Sequence, residues 1–247
     1  MNSVFSTEMQ NPVFNKIYTT VKGLVAGAVF STRQLAILIP HAMQEVASLV
    51  MPGTQKKEFV YKVFHLMIDD ITFESEEQKQ LAIQFVENDL RLFIDLCYQA
   101  FTHNFTFKAK TPTQVFDSKQ FSSLVDTVAR SVSPRSTGMM GAAANYAPEL
   151  SISNILLVIP TIMQDLAQYS NLTGLQRRDY VIQVIVEVLS AVHTGNATLD
   201  MLALFAKEML PPTIDVLYAA AQNQYIFDAV QTGCSFLKLH SCCAKKT

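Results

Sequence analysis

The sequence predicts an all-α protein built from two tandem, duplicated helical bundles of about four helices each. Two observations predict this class: apolar residues recur every three or four positions, and a motif in the first half returns 120 residues later. Composition adds that the chain is folded. Apolar residues make up 49% of the chain and charged residues only 16%, which excludes intrinsic disorder. The net charge of −2 indicates no specific nucleic-acid partner.

The internal repeat consists of three matched segments that follow one another in the same order, at a separation of 120 or 121 residues. They pair 39–47 (IPHAMQEVA) with 159–167 (IPTIMQDLA), 53–63 with 174–184, and 94–98 with 214–218. Solenoid units are shorter, about 20–50 residues, so we interpret the repeat as one duplicated domain. The predicted divisions are an N-terminal extension at 1–11, a first bundle at 12–103, a linker at 104–113, a second bundle at 114–232 with a flexible insertion at 133–149, and a C-terminal tail at 233–247.

Each bundle is predicted to contain four helices. The periodicity places them at 15–29, 33–50, 54–70 and 75–103 in the first bundle, and the second bundle repeats them, with helices near 114–132, 175–192 and 198–224. Pro40 and Pro160 lie inside the second helix of each bundle, where proline predicts a kink or a helix start at that residue. Gly53 and Gly174 are expected to terminate these helices.

The fourth helices are predicted to differ between the bundles. Ser75 and Gln78 have the spacing of a capping box at the start of the first one. Pro211 and Pro212 are expected to interrupt the second one, whereas Arg91 stands at that place in the first bundle and allows a continuous helix.

Two cations begin the third helix of each bundle. They are Lys56 and Lys57 in the first, and Arg177 and Arg178 in the second. The helix dipole favours anions there, so retaining cations twice predicts a partner: a carboxylate, a phosphate or an acidic protein surface. The alternative is a helix start whose charges are simply solvated.

Asp95 and Asp215 occupy matched positions on the last helices, flanked by apolar residues. A carboxylate in that setting is expected to be paired, and the matched cations are the predicted partners. An enzyme site between the bundles, using these acids, the cations and His65, is a less favoured alternative. No catalytic motif and no metal-ligand set occurs in both bundles, so we predict no enzyme activity, no catalytic residues, no metal and no cofactor.

The beginning of the sequence does not indicate secretion. The first residues lack the basic and apolar regions of a signal peptide, which predicts a cytoplasmic or virion location. Near the end, Cys242 and Cys243 stand among lysines and form a candidate acylation site, which would bring the tail to a membrane. The alternative interpretation of the tail is a frayed terminus.

The repeated pattern of Ile-Pro, Met-Gln-acid, glycine and a basic pair resembles helical minor structural proteins associated with the capsids of large icosahedral DNA viruses. The resemblance covers about 30 residues of each unit. It implies a non-enzymatic minor capsid or virion component that bridges neighbouring capsid subunits, and homo-oligomers fit the same role. The low charge agrees with a surface that partners cover. A membrane-associated scaffold, anchored by the Lys/Cys tail, is the alternative function.

Overall fold

The computed structural model describes residues 11–25, 29–105, 107, 114–132, 150–191 and 197–227, with side chains described from residue 200 in the last range. The described residues are helical apart from isolated bridges and connecting turns, which confirms the all-α class. The predicted insertion at 133–149 and the tail at 233–247, which contains Cys242 and Cys243, lie outside these ranges.

The helices of the first half are α1 Pro12–Gly23, α2 Thr32–Ala47, α3 Gly53–Asp70, α4 Glu76–Gln84, a π-helical turn at Phe85–Asp89 and α5 Leu90–Phe101. Those of the second half are α6 Ser118–Val132, α7 Ile152–Ala167, α8 Gly174–Ala191, α9 Ala197–Glu208 and α10 Leu210–Ala221.

The start of α1 is set by a cap that the apolar pattern does not reveal. The Asn11 side chain accepts hydrogen bonds from the backbone N–H groups of Val13 and Phe14, at 3.0 and 3.3 Å. Pro12 then occupies the first turn, where its missing N–H costs nothing. The helix therefore begins three residues before the predicted start at 15 and buries one face against the core.

Pro40 and Pro160 both lie inside helices and are buried. The expectation that a helix starts at these prolines is wrong, because α2 begins at Thr32 and α7 at Ile152. Both starts carry local caps. The Gln34 side chain accepts from the Ser31 backbone N–H at 2.9 Å, and the Ser151 hydroxyl accepts from the Asn154 N–H at 3.2 Å.

Gly53 and Gly174 do not terminate the second helices, contrary to the prediction. Those helices end earlier, at Ala47 and Ala167, and each glycine is the first residue of the next helix. A Cβ added to either glycine would meet no atom within 4 Å, and neither residue needs a positive φ. The left-handed conformation that selects glycine after a helix is therefore not used here.

The last helix is interrupted in the second half, where Pro211 and Pro212 open α10 directly after α9, as expected. In the first half the helical run from Glu76 to Phe101 is continuous, as predicted, but it includes a π-helical turn that was not predicted. This turn ends at Asp89, which matches Met209 in the repeat. The Ser75 hydroxyl does accept from the Gln78 N–H at 3.3 Å, as the capping motif predicts.

The helix boundaries follow the sequence repeat closely. The second and last helices of the two halves begin and end 120 residues apart, and the third helices 121 residues apart. A division into two separate bundles stays a prediction, however, since one hydrophobic cluster contains buried residues of both halves. Helix α5 packs along α10, while α10 also contacts α2 and α5 contacts α7, so the contacts between halves are reciprocal.

Repeat-related residues contact each other at the junction of the halves. Phe85 and Phe205, which are 120 residues apart, stack with ring centroids separated by 6.4 Å. His103 and Asn223, also matched, lie 3.4 Å apart through Nε2 and Nδ2. Both adopt the left-handed conformation, with φ of 60° and 56°. A residue meets its own equivalent only beside a twofold axis, so the halves pack around an approximate internal twofold.

Two polar contacts also cross the junction. The Ser153 hydroxyl at the start of α7 donates to the carboxylate of Asp89, a residue only 3% exposed. Arg33, which matches Ser153 in the repeat, forms an ion pair of 3.3 Å with Glu208 at the end of α9. Burial raises the pKa of Asp89, and the hydrogen bond from Ser153 opposes that rise. The first turn of each second helix thus contacts the other half where its last helical run is irregular, at the π-helical turn or at the end of α9.

Candidate functional site

The basic pair of the first half is used inside its own half. The Lys56 ammonium donates at 2.7 Å to the carbonyl of Ala47, the last residue of α2. Lys57 donates to both carboxylate oxygens of Asp95 on α5, each at 3.0 Å. The first cation therefore caps the preceding helix, and the second joins the third helix to the last.

The two cations of the second half make the same two kinds of contact. The Arg177 guanidinium donates to the Tyr169 carbonyl, just beyond the end of α7, at 2.9 Å. Arg178 makes a bidentate pair with Asp215 on α10, with Nε and Nη2 at 2.6 and 3.0 Å from the two oxygens. The hydrogen bonds from Arg178 to Asp215 raise the pKa of the guanidinium, which keeps it charged.

This geometry explains why cations are retained at a helix start. Each first cation lies against the carbonyl end of the preceding helix, where a positive charge is favourable, and this offsets its position near the amino end of its own helix. The predicted partners of Asp95 and Asp215 are found at Lys57 and Arg178. The two carboxylates are 46% and 54% exposed, so each pair contributes about 0–1 kcal/mol to stability. A role of the four cations in binding a partner stays a prediction.

A pocket of about 390 Å³ opens beside the pair in the second half. It lies between α8 and α10, and Arg177, Arg178 and Asp215 line it together with apolar side chains. Leu175, 75% exposed, belongs to the same lining. The matched basic motif of the second half thus adjoins a concave, mainly apolar surface that the sequence pattern alone does not predict.

The candidate residue His65, and Asp70 at the end of the same helix, have structural contacts. His65 contacts the Tyr61 ring, with centroids 5.7 Å apart. Asp70, at the end of α3, accepts hydrogen bonds from the Tyr18 hydroxyl and from Lys22 at 2.9 Å. These hydrogen bonds, the one from Tyr18 first, lower the pKa of Asp70. Within the described ranges, no group of three or more His, Cys, Asp or Glu side chains could hold a metal ion.

Sequence reasoning missed the residues at the junction of the halves. One signal was available: Phe85 and Phe205 share the 120-residue separation of the repeat, as do the aromatic pairs Phe105 with Phe107 and Tyr225 with Phe227. Both of those aromatic pairs stack, with centroids 6.3 and 5.8 Å apart. No pattern indicated that Asp89 would be buried against Ser153, because that contact depends on how the halves pack.

Comparison with known proteins finds no match: no protein family, no curated protein and no solved structure is similar to this chain. In the described part of the chain, no helix is both long and apolar enough to cross a membrane.

Proposed function

We propose that this protein is a non-enzymatic interaction protein that holds two copies of one partner, one on each half. Its sharpest version is a minor capsid or virion component that bridges neighbouring capsid subunits. The observation that carries the proposal is a pair of exposed apolar positions, Ile37 and Leu157, which are 45% and 53% exposed and lie 120 residues apart on α2 and α7. Tyr98 and Tyr218 form a second matched pair, each 43% exposed.

Isolated exposed apolar residues are ordinary on protein surfaces and carry no argument individually. Here the same positions are exposed and apolar in both halves, and the halves pack around an approximate twofold. The molecule therefore presents one kind of surface twice, in a fixed relative orientation. A partner that fits one surface also fits the other, and two linked contacts bind more tightly than either alone without any new type of contact.

The pairing of the acids weighs against an enzyme built around the matched residues. Asp95 and Asp215 are each held by a cation at hydrogen-bond distance, so each matched acid already has a partner within its own half. The alternative of a membrane scaffold depends on Cys242 and Cys243, which lie outside the described residues.

The test is site-specific photocrosslinking in the cells or particles from which the protein comes. Full-length protein carries p-benzoylphenylalanine at position 37 or at position 157. We expect both positions to capture the same partner polypeptide and the same segment of it. Ser48 and Gln168 are the matched control positions, because they are exposed, polar and also 120 residues apart on the ends of α2 and α7.

A second measurement tests the bridging itself. Ile37→Asp and Leu157→Asp, made singly, each leave one surface intact and are expected to weaken binding to the captured partner by about 10²- to 10⁴-fold, since avidity is lost. The double variant is expected to lose binding altogether. Capture of different partners at the two positions, or capture no greater than at Ser48 and Gln168, would refute the proposal.

A further inference from the structure

The pocket between α8 and α10 contains neither Ile37 nor Leu157, the residues that carry the bridging proposal, although Tyr218 belongs both to its lining and to the second exposed matched pair. Met163, Val181, Ile214 and Tyr218 supply an apolar lining, and its volume of about 390 Å³ falls within the ~300–1,000 Å³ usual for small-molecule sites. Such sites combine an apolar body with a few polar groups that orient the ligand. The polar groups of this lining therefore indicate which kind of ligand head group the pocket would bind.

Arg177 is the charged residue of this pocket that has no oppositely charged partner among the described residues. Arg178, next to it, is paired with Asp215 through two hydrogen bonds. Arg177 donates to one backbone carbonyl, and no carboxylate of the described ranges forms an ion pair with it. Its Nε is buried and has no hydrogen-bond partner in the part of the chain that the structure describes. A buried donor without an acceptor is unfavourable, and an anionic acceptor at the guanidinium would satisfy it.

We propose that this pocket binds a small amphipathic carboxylate, such as a medium-chain fatty acid. The apolar tail lies against Met163, Val181 and Ile214, and the carboxylate contacts the guanidinium of Arg177. Binding removes the apolar surface of the tail from water, together with the small part of the lining that is still exposed. The charged hydrogen bond then distinguishes the carboxylate from a neutral molecule of the same length.

The first half lacks two features of this site. Gln99 stands where the second half has Ala219, and Thr54 stands where it has Leu175. Ala219 and Leu175 both line the pocket. A glutamine at position 219 would extend four more heavy atoms into the space. In addition, the matched cation Lys56 donates its compact ammonium to the Ala47 carbonyl. We therefore assign the ligand site to the second half alone.

The experiment titrates the full-length protein, labelled with ¹³C at the methionine methyl groups, with sodium decanoate, and follows the labels by NMR. Met163 lines the pocket, and Met43, its match in the first half, is the internal control, since the two are 7% and 8% exposed. The Met163 signal, assigned by its loss in Met163→Leu, is expected to shift and to saturate while the Met43 signal stays in place. Decanol, with the same tail and no charge, is expected to bind at least 10-fold more weakly, from ~1.5–3 kcal/mol for a charged hydrogen bond.

Two variants and one matched control separate the contribution of the tail from that of the head group. Ala219→Gln is expected to abolish the Met163 shift, whereas Gln99→Ala, the reciprocal change in the first half, leaves it intact. Arg177→Gln is expected to weaken decanoate binding about 10-fold or more and to leave decanol binding unchanged. The proposal is overturned by a shift that never saturates, by equal shifts of Met163 and Met43, by binding that survives Ala219→Gln in protein that remains helical, or by equal affinity for decanoate and decanol.

Discussion

Replacement of Phe205 by alanine tests whether the two halves share one core. Phe205 is fully buried and stacks on Phe85 of the first half, at 6.4 Å between centroids. Truncating a buried phenylalanine costs about 3–5 kcal/mol, because the ring's transfer free energy is lost and a cavity remains. In a chain of this length, where 1 kcal/mol corresponds to about 2–4 °C, Tm is expected to fall by about 6–20 °C.

The assay is urea unfolding followed by circular dichroism at 222 nm, combined with hydrogen exchange resolved by peptide. Because Phe205 packs on the first half, we expect one transition that moves as a whole. Protection in α3 of the first half and in α8 of the second is expected to fall by the same free energy. Leu175→Ala is the control, since this leucine is 75% exposed and its loss should change stability by less than about 0.5 kcal/mol. Loss of protection confined to α8, or a second transition, would show that the halves unfold independently and refute the shared core.

Three further predictions follow from local geometry. Gly53→Ala and Gly174→Ala should each stabilise the protein by about 0.4–1 kcal/mol, because an added Cβ meets nothing and the unfolded chain loses freedom; a lower urea midpoint would contradict this. Burial raises the pKa of Asp89, so its contribution to stability is complete below the ordinary aspartate pKa of about 3.9 and is lost as pH rises through the raised pKa. The urea midpoint of Asp89→Asn should therefore rise relative to that of the unmutated protein as the pH increases from 4 to 7. Parallel pH profiles of the two proteins would contradict the raised pKa. Burial also raises the pKa of the Cys97 thiol, so a variant with this single cysteine should react with Ellman's reagent only on unfolding, and fast reaction of native protein would be inconsistent with it.

Much of the local structure could be predicted from the sequence, because a helix is stabilised by interactions between residues three or four positions apart. The apolar periodicity predicted the helical class, and the repeat predicted helices at matching places in each half. The apolar neighbours of Asp95 and Asp215 predicted that each would pair with a cation of the repeated motif. Those pairs join helices of the same half, so a comparison of the two copies was enough to indicate them.

Helix ends and breaks were predicted less well. Gly53 and Gly174 were expected to end helices and instead begin them, since glycine is compatible with either place unless a positive φ is required. The π-helical turn that ends at Asp89 was missed because the sequence there contains no proline or glycine. Its last residue, Asp89, contacts the other half through the hydroxyl of Ser153, which the local sequence does not indicate.

The sequence by itself determined that this chain is helical, that its halves repeat and that each half retains two cations and one aspartate at fixed places. Only the tertiary structure decided how the halves meet: Phe85 on Phe205, Asp89 beneath Ser153, and one continuous core. The physical reason is the range of the interactions. Helix periodicity depends on residues a few positions apart, whereas the contacts at the junction join side chains separated by 64 to 175 positions, which meet only after the helices have packed.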